Sequence, residues 1–301
     1  MKPARMHTPL MRDGAPTAKS HSGFRSFARQ AHKIPPNRAN RRCRGRLVEF
    51  LLPIVILVIL GGTASTQEFT GPGIIGADNR IVVEDKRPIW DAIGQVNISG
   101  FRNRSLCSGT LIAADAALTA AHCVVDHSTK APIPTGNIHF VAGVRGNTNK
   151  GHSKAKCVRF LEGYTFIPIS ERTNISVIAR VVAKDAAVIF LENKLSVKPA
   201  SLARDVVSFP GLALLHASYS GDRRFRLSAH IGCRLLATDP LDSIWINDCD
   251  THFGSSGGPL FVAQHGALRL AAIMSSGRPR HYNFATPITN WIGLTRDKGC
   301  R

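Results

Sequence analysis

Two short stretches decide how this chain is read: Gly254-Ser255-Ser256-Gly257-Gly258-Pro259 near the C-terminus, and Thr119-Ala120-Ala121-His122-Cys123 far upstream. Ser256 stands among glycines whose lack of side chains lets backbone N–H groups face a reacting carbonyl. His122 ends an apolar run, as a base held by a scaffold would. Gly254-Ser255-Ser256-Gly257-Gly258 also satisfies the G-x-S-x-G elbow of the α/β-hydrolases, in which an acid and then a histidine follow the serine. After Ser256 the acids reduce to Asp297, and no histidine follows it. Chain order therefore excludes that class.

The stretches between and around these motifs are short apolar or alternating runs, separated by Gly, Pro, Asn and Asp. Ile138–Ala142, Val177–Val182, Ala187–Leu191, Leu212–Ser218 and Ser243–Ile246 read as strands. Leu260–Ala263 and Leu268–Met274 flank the turn-like His265-Gly266 and read as a hairpin. Pro287–Leu294, with Trp291, reads as a helix. Many short strands at this spacing argue for an all-β barrel or sandwich architecture.

The motifs resemble those of chymotrypsin-like (trypsin-like) serine proteases, in particular their bacterial V8-like, glutamyl-endopeptidase-like branch. The resemblance covers nearly all of the chain beyond residue 65. It implies two antiparallel six-stranded β-barrels and a C-terminal helix, with residues 74–200 forming the first barrel and 201–301 the second. It also implies a serine endopeptidase that works through a Ser-His-Asp triad and an acyl-enzyme, without cofactor or metal. Ser256 is the expected nucleophile, His122 the base, and the N–H groups of Gly254 and Ser256 the oxyanion hole. Of the aspartates between His122 and Ser256, Asp185 precedes the apolar strand Ala186–Leu191 and matches the family's orienting acid. The rival class is a non-catalytic relative that binds peptides in the same cleft.

Two departures from the trypsin pattern bear on regulation and specificity. Gly73-Ile74-Ile75-Gly76 looks like a trypsin-type start released by proteolysis, but the residue before the nucleophile is Ser255, not the aspartate that receives the new amine. Met274-Ser275-Ser276-Gly277 aligns with the wall of the primary substrate pocket, and Met274 stands where glutamate-specific relatives carry histidine. Asp250, six residues before Ser256, occupies the place of the acid that binds Lys or Arg in trypsins. The pocket is thus expected to involve Asp250, Met274, Ser275 and Gly277.

Composition bounds the rest. The chain has 301 residues and a formal charge of +19, yet residues 1–46 hold 12 Lys/Arg against Asp13 and account for +11 of it. This Pro-, Ser- and Gly-containing tail lacks an apolar period and reads as disordered. It is followed by the eleven-residue apolar run Phe50–Leu60 and the small residues Gly61-Gly62-Thr63-Ala64-Ser65. A membrane span needs about 20 apolar residues and a secretory core about 7–15, so residues 47–65 read as a signal peptide or signal anchor. Residues 66–73 would then be a linker or pro-segment. Positive charge on the cytoplasmic side of such a segment accounts for the tail without a nucleic-acid partner. The membrane enters only through that segment, and the substrates expected are proteins or peptides met by an exported monomer.

Six of seven cysteines follow the apolar run, an even number that suits disulfides in an oxidising compartment, and no C-x-x-C pair suggests a zinc site. The family pattern pairs Cys107 with Cys123. Cys233 with Cys249 is a second expected bridge, and Cys157 with Cys300 remains by elimination. Asn97, Asn103 and Asn174 each begin a glycosylation tripeptide.

Overall fold

The structure, a computed structural model, describes residues 72–99, 105–168, 174–295 and 300. The expected basic tail and export segment lie outside the described residues. The described chain begins with strand β1 (Ile81–Val82) and a short helix, α1 (Pro88–Asp91), which starts on Pro88 as proline's fixed φ allows.

Strands β2 (Ile93–Ile98), β3 (Ser105–Ala113), β4 (Ala116–Thr119), β5 (Ile138–Ala142) and β6 (Gly151–Phe160) follow. Helix α2 (Ile175–Ala183) then leads into β7 (Ala187–Leu191). Strands β2 to β7 close an antiparallel six-stranded barrel in the order β2-β3-β4-β7-β6-β5. Its interior is packed with Val96, Leu111, Leu118, Ile138, Phe140 and Ile189, all buried. Gly94 and Gly109 keep room there: a Cβ on Gly94 would sit 2.5 Å from the Phe140 ring.

The second barrel comprises β8 (Ala213–Ser218), β9 (Ser228–Thr238), β10 (Trp245–Asn247), β11 (Pro259–Gln264), β12 (Ala267–Arg278) and β13 (Tyr282–Pro287). They are ordered β9-β10-β13-β12-β11-β8, and β8 pairs back onto β9 to close the ring. The β11–β12 turn is His265-Gly266, with φ of 51° and 74°, the left-handed pair that matches the twist of a two-residue hairpin. The last of the described elements are α3 (Ile288–Trp291) and a 3-10 turn, within the stretch expected to be helical. Trp291 is fully buried there.

Two features depart from the sequence expectation. The run Val177–Val182, read as a strand, lies inside helix α2. Asn174 accepts a hydrogen bond from Val177 N at 2.9 Å, and Val181 and Val182 are buried while Arg180 faces out. The N-cap asparagine and one apolar stripe outweigh the β-propensity of the valines. The second departure concerns residues 74–83, expected at the head of the first barrel. They run along the second: β1 pairs with β9 (Ile81 opposite Ala229), and Val83 N donates to Leu227 O at 2.9 Å.

Disulfides join Cys107 to Cys123, Cys157 to Cys300 and Cys233 to Cys249. They suggest an oxidising or extracellular compartment. Among the described residues no helix is long and apolar enough to cross a membrane. Asn97 is 2% exposed within β2, and the Asn174 side chain caps α2.

Candidate active site

His122 lies in a 3-10 turn, Ala121–Val124, that follows β4, and the Cys107–Cys123 bridge ties this turn to β3. Closing a loop of this length stabilises the fold by about 3 kcal/mol. Asp185 is delivered by the end of α2, its N–H donating to Val182 O at 3.0 Å. Thr286 Oγ1, from β13, holds the Val182 carbonyl at 2.7 Å.

The Asp185 carboxylate is fully buried, and donors surround it. Oδ1 accepts from His122 N at 2.9 Å; Oδ2 accepts from His122 Nδ1 at 2.7 Å and from Ser275 Oγ at 2.5 Å. Burial works to raise its pKa, but the charge of His122 and the hydrogen bonds from His122 and Ser275 hold it below the usual carboxylate range. A carboxylate only accepts, so Nδ1 of His122 carries a proton; in the neutral ring Nε2 is then the nitrogen with the lone pair. That nitrogen lies 3.8 Å from Cys123 Sγ, which is also 3.8 Å from the Ser256 carbonyl oxygen.

Ser256 sits in a loop gripped from both barrels. Its carbonyl accepts from Ser108 N of β3 at 2.8 Å, and Ser108 Oγ donates to Gly254 O at 2.9 Å. Gly257 N donates to Met274 O at 2.7 Å on the other side. Glycine is required at 257: φ is +76°, and a Cβ would fall 2.3 Å from both Ser108 O and Thr119 Oγ1. Gly254, at φ +94°, is similarly confined, with Tyr219 O 2.9 Å from where its Cβ would lie. The Ser256 hydroxyl rests on Ser275 O at 3.3 Å. Ser275 thus touches Asp185 with its side chain and Ser256 with its backbone.

The structure brings His122, Asp185, Ser275 and Ser256 together, but it distributes the other expected pocket residues differently. Met274 buries its side chain in the second barrel with Leu214 and Leu260, so only its backbone meets the serine loop. Asp250 is fully buried and committed: its carboxylate accepts from Ile75 N at 2.9 Å and from Asn79 N at 2.8 Å. Its own N–H donates to His230 Nδ1 at 2.9 Å. Asp250 therefore fastens residues 75–79 to the second barrel and does not face the cleft as a free acid. Gly277 lies opposite Asn283 in the β12–β13 pairing, and Asn283 Oδ1 fills the space a side chain on Gly277 would take, 1.8 Å from its Cβ position. Asn283 Nδ2 donates to Gly73 O and Cys249 O.

Ser108 and Asn283 had no role in the sequence reading. Ser108 was signalled by standing next to Cys107, whereas Asn283 had no local signal. Clusters that could suggest a metal, Cys107-His122-Cys123 and Cys233-Asp248-Cys249, have their sulfurs in disulfides.

Residues 107–269, just over half of the chain, match the family model of the trypsin-like peptidase domain. The chain belongs to this family. No match is found among curated protein sequences. Among solved structures, this trypsin-like peptidase is similar to a Glu endopeptidase in complex with MPD, at a TM-score of 0.57 and 20% identity over 74% of this chain and 99% of that one. It is also similar to the protease Anisep from Arthrobacter nicotinovorans, at 0.51 and 16% over 70% and 98%. At these identities the likeness is one of fold, the chymotrypsin-like pair of barrels. Family and fold support a peptidase acting on proteins or peptides.

Proposed function

We propose that this trypsin-like peptidase is an exported serine endopeptidase whose triad is Ser256, His122 and Asp185. The observation that carries the reading is the buried, ionised Asp185 bonded to His122 Nδ1 and, through Ser275, linked to Ser256. Turning about its Cα–Cβ bond, the Ser256 hydroxyl exchanges the Ser275 carbonyl for His122 Nε2; such hydrogen bonds are often loose before substrate binds.

Its proton then passes to Nε2 as Oγ bonds to the scissile carbonyl carbon. The oxyanion takes hydrogen bonds from the N–H groups of Gly254 and Ser256, and Asp185 stabilises the imidazolium that has formed. His122 gives the proton to the leaving amine nitrogen and the C–N bond breaks, leaving Ser256 acylated. Water, deprotonated by the same imidazole, bonds to the acyl carbon; the C–Oγ bond then breaks, His122 returns the proton to Oγ and the acid leaves. Two domains, at about residues 74–200 and 201–301 with residues 74–83 laid along the second, supply base and nucleophile respectively. The N-terminal apolar segment directs export, in keeping with the disulfides. Preference for Lys or Arg finds no support, because Asp250 is already engaged by Ile75 and Asn79.

The test compares the full chain with Ser256→Ala, using an unstructured protein substrate and a fluorophosphonate probe. Cleavage and labelling by the first and neither by the second are expected. A folded full chain that does neither would leave the binding-module reading in its place.

A further inference from the structure

In trypsins a newly released amino terminus orders the nucleophile loop. Here the acid it would meet is replaced by Ser255, whose hydroxyl accepts from Ser218 Oγ at 2.9 Å and His252 N at 3.1 Å. The peptide before Ile74 is also inaccessible. Ile74 is 0% exposed, and Gly73 O is held by Thr251 N at 3.0 Å and Asn283 Nδ2 at 2.9 Å. A cation nevertheless stands buried close to the loop. Arg80 is 5% exposed, and its guanidinium donates to Asp78 Oδ1 and Oδ2 at 2.9 Å, to Asp222 Oδ2 at 2.7 Å and to Ser220 Oγ at 3.1 Å.

The groups Arg80 grips are those on which the loop leans. Ser220 and Asp222 belong to the turn around Gly221–Arg223, and Gly221 N donates to Phe253 O at 2.6 Å. Asp222 Oδ1 also lies 3.6 Å from His252 Nδ1, and the His252 backbone N–H is one of the two donors to Ser255. Two routes therefore run from one guanidinium to Phe253-Gly254 and to Ser255, the residues that set the backbone on either side of the oxyanion donors.

Resting on the serine-peptidase reading above, we propose that Arg80 is a positioning residue for the nucleophile loop, an internal cation that orders Phe253–Ser256 through Asp222 and the Gly221–Arg223 turn. A free amine at Ile74 is accordingly not required. Burial works to raise the pKa of Asp222, but the hydrogen bonds of Arg80 and Ser220 and the charges of Arg80 and His252 bring it down to about 2, so the partner stays charged through the working range.

The experiment compares the full chain with Arg80→Met, Arg80→Lys and Asp222→Asn. In Arg80→Met we expect kcat, and the rate of fluorophosphonate labelling, to fall at least about tenfold, with KM changed much less, since misplacing a donor by about 1 Å can cost 10²-fold. Arg80→Lys should recover part of the loss, and Asp222→Asn, which preserves shape, should reproduce it if Arg80→Met fails to fold. Hydrogen exchange should quicken in residues 250–257 while the strands of both barrels stay protected. Mass analysis of the probe-labelled wild type should find chains that begin before Ile74. Wild-type kcat with unchanged exchange in both charge-removing variants, or labelling confined to chains beginning at Ile74, would overturn the proposal. If the wild type neither cuts nor labels, the peptidase reading falls, and the exchange comparison still decides whether Arg80 orders the loop.

Discussion

The two barrels hold their functional side chains by different physical means. In the first, His122 and Asp185 are mounted on an apolar interior and a disulfide: Val188, Ile189, Leu118 and Val124 are fully buried around them. In the second, the nucleophile loop rests on a frame of buried polar groups, among them Arg80, His216, Ser218, Ser220, Asp250, Thr251 and Asn283. Apolar packing is non-directional and tolerates volume-conserving change, whereas a buried hydrogen-bonded frame fixes orientation and is costly when one member loses its partner. The proposed base needs a firm seat. The loop needs its backbone donors aimed, and directional bonds accomplish that.

Changes that attack each mount separately should expose the contrast. The largest effect is expected from Asp185→Asn, which keeps the first barrel's packing but lets His122 adopt the wrong tautomer. A fall in kcat of about 10⁴-fold, the size known for the orienting acid in the Ser-His-Asp template, should come with an unfolding midpoint near that of the wild type.

The second barrel should be the acid-sensitive one. His216, opposite His230 in the β8–β9 pairing, donates from Nδ1 to Pro259 O at 3.1 Å, while Nε2 has no hydrogen-bond partner among the described residues. Burial, against the weaker opposing effect of that bond, pushes its pKa down to about 3 from 6.5. The unfolded chain thus binds this proton more readily than the folded one. Stability is full above about pH 6.5 and falls by about 1.4 kcal/mol per pH unit toward pH 3. In urea titrations across that window, His216→Gln should have the shallower dependence. Equal slopes for the two proteins would remove His216 from the account.

Ser275→Ala tests a side chain that reaches from the second mount to the Asp185 carboxylate of the first. It removes a donor to the Asp185 carboxylate, so kcat should drop about tenfold, in line with a hydrogen bond to a charged group. The pKa of Asp185 should move up toward its ordinary range, which would appear as an acid limb of kcat/KM displaced to higher pH. A rate unchanged from wild type would mean that His122 alone suffices to hold Asp185.

These differences also explain which parts of the molecule were legible in its sequence. Ser256, His122 and Asp185, the proposed triad, stand out through neighbours only a few residues away, and the His265-Gly266 hairpin does so through turn chemistry. The frame of the second barrel is built from bonds across great sequence separations, Arg80 to Asp222 and Asp250 to Asn79, and no local pattern records them. Helix α2 was misread for a related reason: its valines favour strands, and the Asn174 cap that decides otherwise sits in a tripeptide with a second meaning as a glycosylation site. Asp250 stands at a position where trypsins read substrate charge, but here the same carboxylate fastens the incoming chain.

The bond from Ser108 N to the Ser256 carbonyl, with Ser108 Oγ on Gly254, means that the proposed nucleophile is pinned by the barrel it does not belong to. A jaw-like opening of the cleft would drag Ser256 and the Gly254 peptide out of line together. On the proposed peptidase reading such a molecule works as a fixed vice, and an extended, pliant segment is expected to be cut where a rigid turn is refused.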